Sequence, residues 1–237
     1  MEDLMKKTLV WIAVLAVTCI GTGRDRITSD SPSMETGNME RIQLPEPDRK
    51  GDTPVGRALQ DRRSVREYGK DALTLADVAQ LLWAGQGKND PGGYRTAPSA
   101  GATYPLEMYA VAGNVAGLSP GVYRYRPDTH ELERHLEGDK RADLSAAALG
   151  QRCVREGAVV LVISAVYERT TRRYGDRGVR YVHMEVGHAG QNIHLQAAAL
   201  NLGTVVVGAF GDEDVKHILN LPGAEHPLYL MPVGRKP

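Results

Sequence analysis

Cysteine is nearly missing from this chain of 237 residues, and the two present, Cys19 and Cys153, have neither the spacing of a disulfide framework nor that of a metal site. Folding must rest on a hydrophobic core, for which 25.8 kDa is ample. Net charge is missing too. Lys plus Arg and Asp plus Glu number 29 each, so no long-range field steers the chain toward nucleic acid, and any anion site has to be local. There is no internal repeat. The longest apolar run, Leu9 to Ile20, falls short of the roughly 20 residues a membrane span requires. Hydrophobic residues at 42% and charged residues at 24% sit near the globular average, which argues against whole-chain disorder and a polytopic membrane protein.

What is present begins with an export-signal layout: Lys6-Lys7, the apolar run, then Gly21 and Gly23. Thr18 stands where a small residue normally precedes a lipidated cysteine, so cleavage without lipidation at Cys19 is expected, and export in a bacterium, periplasmic or tethered, with it. Glu2 and Asp3 weaken the positive start and keep a cytoplasmic protein as the alternative. Residues 1–23 are thus assigned to an export or membrane-proximal segment. Residues 24–53, rich in Ser, Thr, Asp, Pro and Gly with few apolar side chains, are expected to be a disordered linker. A folded domain is expected over 54–237.

Within it, Thr53-Pro54 predicts a helix start, and Thr74 with Asp77 predicts a capping box opening a helix to Gly85. Asn89 to Gly93 reads as a loop. Strands are expected at Leu106–Ala112, Val122–Tyr125, Ala158–Val166, Thr204–Phe210 and Leu228–Val233, with a weaker one at Glu131–Leu136. Helices are expected near 139–149, 181–202 and 212–220. On the long one, Val182, Val186, Ala189, Ile193, Ala197 and Leu200 form one apolar stripe, while Met184, Leu195, Ala198 and Leu202 add a second. Such a helix is expected to be covered by its own sheet on one side and by a partner subunit on the other.

Several chemistries fail on spacing. His130 and His135 are five apart, one position too many for a zinc-protease helix. Glu185 and His188 have the spacing of half a di-iron site, without a second half. Gly85-Gln86-Gly87-Lys88 lacks the remaining elements of a dinucleotide loop or a P-loop. Ser99 is not in a nucleophile elbow, and Cys153 has basic neighbours but no base, so it is read as structural.

Other segments hold. Arg62-Arg63-Ser64-Val65-Arg66 concentrates three guanidiniums and a hydroxyl in an otherwise neutral protein, a combination suited to phosphate oxygens; taken alone, a charge run is more often a solvated face. Arg95 to Pro105 offers small residues for close approach to a flat ligand, or an ordinary turn. Val207-Gly208-Ala209-Phe210-Gly211 ends one strand in small residues, and Val233-Gly234-Arg235-Lys236 ends the last in a basic pair.

Taken together and in this order, with Glu185-x-Gly187-His188-x-x-Gln191-Asn192 on the long helix, these blocks resemble the nitroreductase superfamily over roughly residues 54 to 236. More narrowly they resemble its SagB-type branch, relatives of the azoline dehydrogenases. The resemblance implies an α+β fold, an α/β/α sandwich with a mainly antiparallel central sheet and a long buried helix at a homodimer interface where FMN sits. It implies that Arg62, Ser64 and Arg235 hold the FMN phosphate, that Arg63 supports the ribityl chain, and that Arg66 faces the pyrimidine side of the ring. Pro98, Ser99, Ala100 and Gly101 would line the ring from the other subunit, with Gly208 and Ala209 against it. The implied activity is ping-pong electron transfer from a reductant such as NAD(P)H to an electron-poor small-molecule acceptor. Azoline-type peptide oxidation is the alternative, as is an exported flavin-binding protein without turnover. The branch's Lys-Tyr pair reads Arg180-Tyr181 here. Arg is no general base, with a pKa above about 12, which leaves Tyr181 as the candidate proton-transfer group.

Overall fold

The computed structural model describes residues 40–237; the expected export segment and residues 24–39 of the expected linker lie outside them. The core is built on two strands whose sequences are almost wholly apolar, β3 (Leu106–Ala112) and β7 (Val159–Ala165). Runs of this kind fit a sheet covered on both faces. They pair antiparallel in full register, Leu106 opposite Ala165 and Ala112 opposite Val159.

On the β3 side follow β5 (Gly121–Arg126), β6 (Glu131–Glu137) and β1 (Arg41–Gln43). On the β7 side follow β9 (His226–Arg235) and the three-residue β8 (Leu202–Thr204). Every pairing in this seven-stranded sheet is antiparallel. A separate pair, β2 (Leu73–Thr74) with β4 (Val115–Ala116), is parallel.

The pleat sends alternate side chains to opposite faces, and each face has its own helices. Met108, Ala110, Leu161 and Ile163 share one core with residues of α2 (Leu75–Gln86) and α6 (Arg177–Ala199). Tyr109, Val111, Val160 and Val162 share the other with residues of α3 (Arg141–Ala147), α4 (Arg152–Glu156) and α7 (Asp212–Ile218). This is the expected α/β/α sandwich. The capping box at Thr74 and Asp77 also forms as expected. At Gly85 of α2 a Cβ would lie 2.8 Å from the Met108 sulfur and 3.1 Å from Ile193 Cδ1. A side chain there would require the ends of Met108 and Ile193 to shift within the core.

The inner stripe of α6 is buried at Val182, Val186, Ala189, Ile193 and Ala197. Its second apolar face is only partly covered within the chain, with Met184 51% exposed and Leu195 and Ala198 half-buried.

Four expectations are corrected. Residues 40–53 are folded against the core: β1 pairs with β6, Leu44 is 2% exposed, and Gln80 of α2 exchanges two hydrogen bonds with the Asp48 backbone. These contacts are remote in sequence, so local composition could not register them. The helix α1 (Val55–Asp61) is preceded by Pro54 without any side-chain cap; Thr53 does not serve. The strand expected at Thr204–Phe210 stops at Thr204, after which Val207 keeps a two-way bridge to Leu230 before Gly208 leaves the sheet. Finally, α4 and α5 (Glu168–Tyr174) were not anticipated, being too short to show a period. Cys153 is buried in α4 and free, and burial raises its thiol pKa, in keeping with a structural role.

If residues 40–53 belong to the folded unit, Leu44→Ala lowers unfolding stability by about 2–5 kcal/mol and Arg41→Ala by less than about 0.5 kcal/mol. Urea titration of both variants measures this, and equal effects would count against a core role for the segment.

Candidate functional site: a cation-walled cavity at the sheet edge

Beyond α1 the chain turns extended at Arg62, with φ −57° and ψ 124°, and lays Ser64 alongside Thr204 in a parallel bridge. The Val65 amide donates to the Thr204 carbonyl at 2.9 Å. On its other side β8 pairs with β9, setting Leu202 opposite Arg235 and Gly203 opposite Gly234. Two separated basic segments are thereby carried to the two sides of one short strand.

A cavity of about 240 Å³ opens here, with Asp61, Arg62, Arg63, His194, Thr204 and Lys236 on its walls. Asp61 is engaged by Arg57 at 2.5 Å. Among the described residues, Arg62, Arg63 and Lys236 pair with no carboxylate. Three cations without a carboxylate partner around one cavity, in a chain of zero net charge, are chemically suited to an anion, although Arg63 Nη1 also donates to the Gln60 and Arg62 carbonyls. His194, from α6, is 6% exposed and its Nδ1 has no hydrogen-bond partner. Burial, and secondly the charge of Arg62, push its pKa down to about 4.

Further along the same segment Arg66 shares a hollow with Gln151 and Cys153, and Gln151 Nε2 donates to the Ala209 carbonyl at 3.2 Å. Gly208 and Ala209 are exposed, and a Cβ on Gly208 would meet nothing closer than the Tyr229 ring at 3.9 Å. Arg62, Arg63, Ser64 and Arg66 therefore run along one edge, with Gly208 and Ala209 reached through Gln151.

Arg235 departs from expectation. Its Nη2 lies 2.8 Å from Asp77 Oδ2, the carboxylate already fixed by the capping box of α2. The next residue, Lys236, lines the cavity instead. Adjacent residues of an extended chain point to opposite sides, so only one of the basic pair can face the cavity.

Pro98, Ser99, Ala100 and Gly101 form a second group, packed on α5 and α6. Gly101, Ala102 and Tyr104 all have left-handed backbone, with φ of 61°, 53° and 44°, a strained arrangement for the two residues with side chains. At Gly101 a Cβ would lie 2.5 Å from the Tyr174 hydroxyl. Ser99 Oγ accepts from the Tyr104 amide at 3.0 Å. Behind Ser99 sits Glu185 of α6, 2% exposed, with Oε1 unpartnered. Burial drives its pKa up to about 7, against the opposing influence of the Ser99 hydroxyl and Arg95. This loop lines neither of the cavities that the arginines line.

Tyr181 packs edge-on against Tyr174, ring centres 5.1 Å apart, the arrangement of an aromatic packing pair. Sequence reasoning passed over His194, Lys236, Gln151 and the buried state of Glu185. Lys236 was visible as half of a basic pair; the other three carry no local signal.

The chain is thus an α+β protein with a cationic cavity at the edge of an antiparallel sheet, walled by the end of α1, α6, β8 and the segment after β9, a combination suited to an anion. The family model of the nitroreductase family matches residues 59–235, and the chain belongs to that family, which makes it an oxidoreductase of the flavin-dependent kind. It is 49% identical over 200 residues to a protein of Methanocaldococcus jannaschii provisionally named a nitroreductase, covering 84% of this chain and 98% of that one. It is 30% identical over 159 residues to the microcin B17-processing protein McbC of Escherichia coli, covering 64% of this chain and 58% of McbC. Among solved structures, a provisionally named nitroreductase of Ralstonia eutropha superposes with a TM-score of 0.73 at 29% identity, covering 83% and 90% of the two chains. A chain of the Escherichia coli microcin synthetase complex shares the fold, with a TM-score of 0.64 at 24% identity.

The two buried ionisable groups predict a pH signature. Glu185, whose folded pKa of about 7 lies above its unfolded value, destabilises the fold progressively as pH rises from 4.5 to about 7. His194, lowered to about 4, acts oppositely, its penalty growing as pH falls from 6.5 to about 4. Across the overlap the two slopes oppose. In cofactor-free protein, Glu185→Gln should therefore gain stability over wild type with rising pH, on the order of 1 kcal/mol per pH unit up to neutrality. Urea unfolding at pH 5, 6 and 7 measures it; parallel curves for the two proteins would show that Glu185 ionises freely.

Proposed function

We propose that this protein is an FMN-dependent oxidoreductase, a homodimer working by ping-pong transfer between a reductant and an electron-poor small-molecule acceptor. The observation that carries the reading is the set of carboxylate-free cations, Arg62, Arg63 and Lys236, around one cavity. A dianionic phosphate needs several charge-assisted donors, and these side chains fit it, with the exposed Ser64 hydroxyl beside them. Bound FMN would supply a ring able to accept and release electrons. Arg66 offers a cation to that ring's pyrimidine side, while Gly208 and Ala209 leave its face unobstructed by side chains. The Pro98 to Gly101 loop, which lines no arginine cavity in its own chain, serves the second copy's site. Met184 on α6 and Val55 and Leu59 on α1, 51%, 68% and 53% exposed, are the apolar surface for that copy.

A second reading, oxidation of a peptide azoline, draws support from likeness to the microcin B17-processing protein and to the trifolitoxin operon protein TfxC of Rhizobium leguminosarum, 27% identical, about half of whose length this chain spans. Arg180 in place of Lys weighs against it. Export from the cytoplasm, proposed from the N-terminal layout, would favour a donor other than NAD(P)H.

Purified protein should be yellow and release FMN on denaturation, and Arg62→Glu should weaken FMN binding roughly 100-fold or more. Colourless protein that cannot be reconstituted would end the reading. Anaerobic titration with NADH, NADPH and a hydroquinone identifies the donor by bleaching of the flavin's visible absorption. Tyr181→Phe abolishes peptide oxidation under the second reading while keeping flavin; retained oxidation would dismiss Tyr181 from proton transfer.

A further inference from the structure

Past the anion cavity the chain keeps pace with β9, Thr204 opposite Val233 and Val207 opposite Leu230, so that Gly208 lies about 13 Å farther along the sheet edge. There the Tyr229 ring fills the space between chain and helix: a Cβ on Gly208 would lie 3.9 Å from it and one on Gly190 of α6 3.3 Å. His183 is two helical turns before Gly190, on the same face of α6, and His226 precedes Tyr229 at the start of β9. Both imidazoles meet one phenol. Tyr167, just beyond β7, has its hydroxyl 2.7 Å from His183 Nε2, and its ring stands edge-on to His183 and His226 at 5.7 and 5.5 Å between centres. Both histidines are exposed, so core packing accounts for neither. The strand that leaves the cation cavity thus leads, by way of bare backbone at Gly208, to a solvent-facing imidazole clamped by a phenol.

We propose that His183 is a catalytic residue of the acceptor half-reaction, handing a proton from Nδ1 to the oxygen of an electron-poor carbonyl acceptor of the quinone class while Tyr167 holds its ring. The inference rests on the FMN reading above. A quinone becomes a hydroquinone by gaining a hydride, which comes from the reduced flavin, and one proton. Oxidation of the flavin matches reduction of the quinone, and the Nδ1–H bond that breaks is remade from water, which reaches an exposed ring. The phenol suits both charge states of the imidazole. It accepts from Nε2–H of the cation and, once the proton has left, donates to the bare nitrogen, so Nδ1 stays turned outward throughout. Burial, and secondly the charge of Asp212 at the start of α7, raise the phenol's pKa, which keeps it protonated and confines the titration to the imidazole. The other ionisable groups about the pair are His226 across the Tyr167 ring, Glu168 beside Tyr167 in the chain and Arg180 one turn back along α6. Imidazole is the side-chain type among these that ordinarily exchanges a proton near neutrality, which makes His226 the control.

The test reduces the flavin of full-length protein anaerobically and mixes it with menadione, which needs a proton, or with ferricyanide, which takes electrons and none. His183→Gln should slow menadione reduction roughly 100-fold, the lower end of general acid catalysis, and leave ferricyanide within about threefold. Tyr167→Phe should lose less, and on menadione alone. With rising pH the wild-type menadione rate should fall at the midpoint where NMR of the oxidised holoprotein shows the His183 imidazole, assigned by its absence from His183→Gln, giving up its proton. That limb should persist in His226→Asn and vanish with ferricyanide. His183→Gln reducing menadione at the wild-type rate, equal losses on the two acceptors, or a limb that disappears with His226 would overturn the assignment while leaving the FMN reading intact. Wild type that holds no flavin would overturn both. Should His183→Gln fail to fold, wild type and His226→Asn decide: a menadione limb present in both and absent with ferricyanide supports the donor, and limbs at the same pH for the two acceptors overturn it.

Discussion

The seam at β8 is the constraint from which the site follows. Three residues of strand carry the Arg62–Arg66 segment on one side and the end of β9 on the other. The approach is close enough to exclude side chains at two facing positions. A Cβ on Gly203 would lie 2.7 Å from Val65, and one on Gly234 2.7 Å from Tyr68. The Tyr68 hydroxyl then donates to carbonyls on both sides of the seam, Val65 and Pro232. Without those glycines the arginines would be held away from the sheet, and the cavity walls would separate.

A second tension runs through α6. Its inner stripe is apolar enough to hold the sheet, yet it includes a buried carboxyl at Glu185 and a buried imidazole at His194, each with an unpartnered atom. A helix selected for stability alone would have neither. Both lie where the surroundings are also unusual, one under a loop with left-handed Ala102 and Tyr104, the other in a cavity of cations. Strain and unmet polarity concentrated in the same places are what a ligand-binding protein is expected to show.

How much of this the sequence disclosed depended on the range of the interaction. Thr74 and Asp77 are three residues apart and their capping box is a local event, so it could be read directly. The apolar runs of β3 and β7 were equally plain, because burial on both faces leaves only Glu107 and Ser164 as interruptions. The fold of residues 40–53 was hidden because Gln80 holds Asp48 from a helix that comes later in the chain. The basic blocks were legible as chemistry but not as geometry: Arg235 and Lys236 look interchangeable until the pleat assigns one to Asp77 and the other to the cavity. His194 offered no sign at all, since a histidine on an apolar helix face is ordinarily a packing residue.

That alternation has an evolutionary corollary. The register of β9 against β7 slips by one residue near Leu228, and the count of residues from there to the seam decides odd from even at the chain's basic end. A relative lacking one residue in that stretch would move Arg235 into the place of Gly234, where a Cβ would lie 2.7 Å from Tyr68, so the close seam fixes the length of the strand that leads to it.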